Sequence, residues 1–279
     1  MLVRQLHEPL SPFPSLPETV KARHPGCDLT LRPFGLYEND LNLDFDHTPR
    51  PVLVTRILEC CTRHTQKESV EQSFFWMLPI GKRIECLLTL LASGTRADIP
   101  ITFRCPNTKC GQESEVEISL TEIAGLQEHA YQNERVVVSF ESESLVLRRP
   151  TGGDQLEWLS GRYADQEAAS RAMLGTLLLD REEVAFRDEW LPVAERALEE
   201  KDPLVNFSLL VDCSNCGEET LLELDLEEVS LRELRRAQLR LLASVHRLAA
   251  SYHWSEEQIF SVPYWRRAYY LRLIEAEKN

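Results

Sequence analysis

No apolar run in this 279-residue chain approaches the roughly 20 residues that a helix needs to span a bilayer. The start, MLVRQLHEPLSPFPSLPE, has neither the apolar stretch nor the small-residue cleavage site of a secretory leader, so a cytoplasmic location is the expectation. Excess positive charge is missing too. The formal net charge is −14, which repels phosphate backbones and disfavours non-specific binding to nucleic acid. Histidine is sparse: there are 7, and none stand in HxH or HxxxH spacing. His246 and His253 are seven apart, whereas a pair of ligands one helical turn apart needs three or four. A catalytic zinc usually takes His or carboxylate ligands and keeps one position open, so this scarcity argues against a zinc hydrolase. Gly152-Gly153 suggests a phosphate loop but lacks the Gly-Lys-Ser/Thr ending. These absences point away from catalysis, and the chain is expected not to be an enzyme.

Cysteine is present in quantity. There are 8, and without a leader they favour metal ligation and buried thiols over a disulfide framework. Four form two short pairs, Cys105-Pro106-Asn107-Thr108-Lys109-Cys110-Gly111 and Cys213-Ser214-Asn215-Cys216-Gly217. ITFRC leads into the first and GQESEVEISL leaves it; FSLLVDC leads into the second and GEETLLELDL leaves it. Each reads as a β-hairpin with a cysteine turn closed by Gly, where positive φ is expected. Each hairpin then runs into a related tetrad, Leu120-Thr121-Glu122-Ile123 or Leu226-Glu227-Glu228-Val229. One such turn supplies two ligands and a tetrahedral zinc needs four. The expectation is one structural Zn²⁺ held by Cys105, Cys110, Cys213 and Cys216 and closed to further ligands. Two disulfides, four ordinary thiols, or a redox pair at Cys213 and Cys216 are the competing readings. Vicinal Cys60-Cys61 and Cys86 are expected to be buried thiols.

The fold class that follows is α+β: a four-cysteine zinc ribbon of two knuckle hairpins, an inserted α/β subdomain and a C-terminal helical region. Residues 1–50 form a proline-rich arm in which Pro9, Pro12, Pro14 and Pro17 exclude a continuous helix. It is expected to be solvated or to lie on a neighbouring protein. Residues 51–125 are a helical lead-in and the first hairpin, with a helix over Ile80–Ala92 stopped by Gly94. Residues 126–204 form the insert, with strands at 135–140 and 145–148, a short helix capped by Asp154, and helices near 165–180 and 192–200. Residues 205–230 hold the second hairpin. Residues 231–279 are helical, with Ser230 and Glu233 as a capping box and a seam of Leu231, Leu234, Gln238, Leu241, Val245, Leu248 and Tyr252. This last segment carries nine Lys/Arg against five Asp/Glu. Arg232, Arg236 and Arg240 form a row beside the seam that reads as a solvated face or as a dock for an acidic partner. On the last helix Trp265, Tyr269 and Leu273 share a face suited to packing on a protein.

The C-terminal stretch VHRLAASYHWSEEQIFSVPYWRRAYYLRLIE resembles the signature of a family found with contractile phage tails and phage-tail-like injection systems. In that signature a long helix ends in a YxWSExEI turn and an Arg-Arg-x-x-Tyr-Leu helix follows. The matching positions are Tyr252, Trp254, Ser255, Glu256, Ile259, Arg266, Arg267, Tyr270 and Leu271. The paired cysteine hairpins, Leu78-Pro79-Ile80-Gly81, and Leu147-Arg148-Arg149-Pro150-Thr151-Gly152 with Asp154 are similar to the same family. The likeness spans roughly residues 75–275, and the first turn departs from it in being C-x4-C. Members are similar to the baseplate-hub assembly proteins of T-even-like phages. The resemblance implies a non-catalytic baseplate component or an assembly chaperone whose partners are hub, spike or wedge proteins. The protein would then act in the cytoplasm or within the particle. The alternative from another class is a zinc-ribbon nucleic-acid-binding protein. Against it, the second hairpin carries Glu218, Glu219, Glu223, Asp225, Glu227 and Glu228 rather than basic and aromatic residues.

Overall fold

Prolines govern how the described chain begins. Pro12, Pro14 and Pro17 deny it a helix there, and Ser11–Pro12 (β1) instead forms the edge of a small antiparallel sheet. The computed structural model describes residues 10–26, 28–64, 70–94, 97–130, 134–141, 143–179 and 187–277. The expectations for residues 1–9, including Pro9, lie outside these, as does the end of the helix read near 165–180. After a short helix at Glu18–Arg23 (α1), Leu29–Leu31 (β2) forms the middle strand. A 3-10 turn at Glu38–Asn42 leads to Arg50–Cys61 (α2), and Thr62–His64 (β3) closes the sheet. Leu31, Ile57, Leu58, Phe74 and Phe75 are fully buried together, with Phe74 and Phe75 on Gln72–Met77 (α3). The proline-rich start is therefore packed: Val20, Leu29 and Phe34 belong to this first core. That differs from a solvated or partner-bound arm, because prolines exclude a helix but say nothing about what the intervening apolar side chains cover.

Ile80–Ala92 (α4) forms where its pattern predicts, with Pro79 as N-cap. Its polar residues Lys82, Arg83 and Glu85 are buried along with its leucines, so the helix is central. Asp98–Arg104 (β4) and Glu113–Ser119 (β5) pair from Asp98↔Ser119 to Arg104↔Glu113 and run into Leu120–Ala130 (α5). The insert follows, built on a hairpin of Arg135–Phe140 (β6) and Glu143–Arg148 (β7). Gly152–Ser160 (α6), Gln166–Leu177 (α7) and Leu191–Lys201 (α8) complete it around a core with Trp190 fully buried. Phe207–Asp212 (β8) and Glu219–Leu224 (β9) form the second cysteine hairpin, which runs into the 27-residue helix Leu226–Tyr252 (α9). Glu256–Ser261 (α10) and Tyr264–Ala276 (α11) pack back on α9.

The two cysteine units share a core. Leu120 and Ile123 open α5, Leu226 and Val229 open α9, and all four are buried together with Ile84, Ile99 and Ile118. The matched tetrads in the sequence are thus equivalent first turns of helices meeting at one place. The architecture is α+β with small antiparallel sheets, as expected.

Two helix starts differ from the sequence reading. α9 begins at Leu226, capped by the Asp225 carboxylate accepting from the Glu228 amide at 3.0 Å. Ser230 lies inside it, fully buried, donating to the Leu226 carbonyl at 2.6 Å. Asp225–Glu228 and Ser230–Glu233 compete as caps, and burial of Leu226 and Val229 favours the earlier one. In α6 the cap is Thr151, and Asp154 is the N3 residue of its capping box.

The segments 78–81 and 147–154 that carry the family likeness meet directly. Ile80 N donates to Pro150 O at 2.9 Å and Gly152 N to Leu78 O at 3.1 Å. Gly81 makes room for a different neighbour, since a Cβ there would lie 1.9 Å from Asp202 Oδ1 at the end of the insert.

Candidate metal centre

Each cysteine turn is closed by its own backbone. Cys105 N donates to Gln112 O and Cys213 N to Glu218 O, both at 2.9 Å, continuing the hairpin ladders beyond the strands. Gly111 (φ 55°) and Gly217 (φ 71°) are left-handed, as expected, and reverse the chain behind Cys110 and Cys216. The turns then bring all four predicted residues together. The Sγ atoms of Cys105, Cys110, Cys213 and Cys216 lie within 4.8 Å of one another. Cys105 and Cys216 are 3.6 Å apart and Cys110 and Cys213 3.9 Å, across sequence separations of 111 and 103. A tetrahedron with metal–sulfur bonds of about 2.3 Å has sulfur–sulfur edges of roughly 3.8 Å. The spacing therefore fits a metal ion at the centre. The set holds no histidine or carboxylate, so its donors suit a soft or borderline cation.

The surroundings prepare the sulfurs for that role. The Ser114 hydroxyl is 3.6 Å from Cys213 Sγ, and with the Asn215 and Cys216 amides it holds the Cys213 thiol down to about 6. The Asn215 side-chain amide donates to Cys110 Sγ at 3.3 Å and lowers that thiol as well. Burial pushes Cys105 up to about 12. In the metal-free protein the four sulfurs thus share protons unequally, and a bound cation would take the place of those protons. Cys105 and Cys213 are buried while Cys216 is exposed, so the cluster sits at the surface end of the hairpins.

Among the described residues a second group has ligand atoms equally close together: Asp40, Cys60 and Cys61. Cys61 is buried, as expected, but Cys60 is only partly so. A guanidinium lies among these donors. Arg32 Nη2 donates to Asp40 Oδ1 at 2.6 Å and to Cys60 Sγ at 2.9 Å, and Nη1 donates to Asp40 Oδ2 at 3.1 Å. Asp40 also accepts from the amides of Gly35, Leu36 and Tyr37. With a cation already in place, this group is a buried ion pair that ties the 3-10 turn to β2. Sequence reasoning missed it because eight positions separate Arg32 and Asp40 across an irregular loop.

No protein-family model matches the chain, and no curated protein or solved structure matches it either. The likeness to baseplate-hub assembly proteins therefore stands on the residues quoted above. Most of those residues have internal packing roles. Tyr252 stacks on Trp254 with centroids 4.9 Å apart, and Tyr270 meets both edge-on. Arg148 pairs with Asp154 at 2.6 Å, and Arg149 Nη1 faces Asp202 at 3.8 Å. Among the described residues, no helix is long and apolar enough to cross a membrane.

Proposed function

We propose that this protein is a non-catalytic structural or assembly component of a contractile tail or injection-system baseplate, in which one Zn²⁺ clasps two distant hairpins into a ribbon. The observation that carries the clasp is the quartet of sulfurs at tetrahedral spacing, drawn from turns on either side of the insert. Zinc is the natural occupant of a closed all-thiolate set. Cys105, Cys110, Cys213 and Cys216 would hold it, leaving no position open for substrate. The ion would supply folding free energy, about 10–16 kcal/mol at neutral pH for structural sites of this kind. It would also set how the insert and the C-terminal helices are held relative to each other.

The assembly role is supported by the family likeness and by apolar surface left uncovered among the described residues. On α11, Trp265, Tyr269 and Leu273 are 40, 59 and 54% exposed in one row, a composition typical of protein contacts. Co-expression with hub, spike and wedge proteins from a tail or injection-system gene cluster, followed by affinity purification, tests the reading. Recovery of one of them in stoichiometric amount is expected, together with unassembled tails when this gene is deleted. Normal particles from the deletion strain contradict it.

A further inference from the structure

Among the described residues, four buried arginines solve the problem of a desolvated charge in different ways. Arg32 is paired with Asp40. Arg83 makes no ion pair among the described residues but donates to Thr55 Oγ1, Phe75 O and Pro51 O. Arg149 donates to Ala130 O and faces Asp202. Arg267, on α11, has neither a paired carboxylate nor the three acceptors that surround Arg83. It is 7% exposed, its Nη2 donates to Leu36 O at 2.5 Å, and its guanidinium lies over the Phe260 ring at 4.8 Å. Its Nε has no hydrogen-bond partner, a feature shared by Arg32, Arg83 and Arg149, and no carboxylate pairs with it among the described residues. Burial lowers its pKa, as expected of a cation without a counter-ion.

Arg267 lines a trough of about 820 Å³ between α9, α11, the 33–36 loop and the end of α4. Ala237, Ala268 and Leu271 give it an apolar lining above the buried Leu90, Leu234, Leu241 and Leu248. The trough follows α9 from Glu233 to Leu248, a length of roughly 22 Å at 1.5 Å per residue. Its charged lining is Arg236, Arg240 and Arg267 against a single Glu233, which Arg236 already engages at 2.5 Å. Arg240 is exposed and makes no ion pair among the described residues. A net-positive trough on a chain of charge −14 selects for an acidic occupant. Its elongated shape and apolar lining select for a helix rather than a compact anion.

We propose that this trough docks an acidic amphipathic helix of a partner protein, laying its apolar face along α9 and placing a carboxylate between Arg267 and Arg240. Helix-in-groove recognition uses apolar anchors at i, i+3/i+4 and i+7, and the arginines would set orientation and select against basic partners. The site is separate from the metal centre, and the claim holds whichever machine the protein belongs to.

The test is fluorescence anisotropy with labelled helical peptides of about 15 residues, identical in their leucine face and flanked by Glu, Gln or Lys. Three leucine spacings cover different registers. The Glu-flanked peptides should bind at least about tenfold tighter than the Gln-flanked ones, and the Lys-flanked ones more weakly still. Arg240→Glu and Arg267→Gln should each remove most of the Glu preference, and Ala268→Trp, which fills the trough from its exposed wall, should abolish binding. Arg266→Gln, outside the trough, should change nothing. Arg267→Met should leave the Tm equal to or above wild type, because it deletes an uncompensated buried charge; a sharp loss of Tm would assign Arg267 to the fold and overturn its role in binding. Absence of saturable binding up to about 1 mM, or equal binding of Glu and Lys peptides, overturns the proposal. A dimer that Ala268→Trp dissociates would assign the trough to a second copy and also overturn it.

Discussion

Among the described residues two groups of cysteines lie at metal-binding distance, and they have opposite uses. At Cys105, Cys110, Cys213 and Cys216 the neighbours of the sulfurs are donors, the Ser114 hydroxyl, the Asn215 amide and backbone N–H groups. Such neighbours stabilise thiolates and leave the centre of the quartet for a cation. At Asp40, Cys60 and Cys61 the centre is taken by the Arg32 guanidinium. Ligand spacing alone does not distinguish the two; what fills the remaining hydrogen-bond and charge positions does.

Substitutions should separate them. The largest effect is expected at the quartet. Cys213→Ser or Cys105→Ser should lose the metal and, with it, most of the binding free energy that supports the fold, giving insoluble or partly unfolded protein by circular dichroism and metal analysis. A soluble, cooperatively melting mutant would break the comparison. Next comes Asp40→Asn, which leaves Arg32 charged and fully buried. Breaking such a pair costs about 3–5 kcal/mol, read as a lower denaturant midpoint with metal content unchanged. Ser114→Ala should be milder, weakening metal affinity by about 10- to 100-fold as the loss of an outer-shell partner does, measured by competition with a chelator. Cys60→Ser should be mildest, costing about 1 kcal/mol or less with no change in bound metal.

Acid should separate the two groups as well. Cys213 is held down to about 6 from an ordinary value of 9.0. The stability it lends the metal-free fold is complete above the unfolded value and is lost as pH falls through about 6. Metal retention should fall in the same direction, since protons compete for the sulfurs. Chelator titrations between pH 8 and pH 5 check this, and affinity that does not fall with pH would contradict it.

The hairpins were legible because three local signals agree there. These are alternation such as Ile99, Ile101 and Phe103 in β4, cysteine pairs at ligand spacing, and Gly111 and Gly217 where the chain must turn left-handed. The α9 seam was legible for the same kind of reason, and even Gln238 falls on it, buried and donating to Asp40 O and Leu43 O. Helix starts were less so, since Asp225 and Ser230 are equally good caps until the burial of Leu226 is known. Least legible were features made by residues remote in sequence. Nothing local marks Arg32 as the partner of Asp40, or distinguishes Arg267 in the trough from the exposed Arg266 beside it.

The central claim is that one ion joins the two hairpins through four sulfurs. Zinc K-edge X-ray absorption on the purified protein, with metal content determined on the same sample, tests it most directly. The account predicts one zinc per chain with four sulfur neighbours at about 2.3 Å. A chain without metal whose cysteines form disulfides, or a zinc shell containing nitrogen or oxygen, would contradict it.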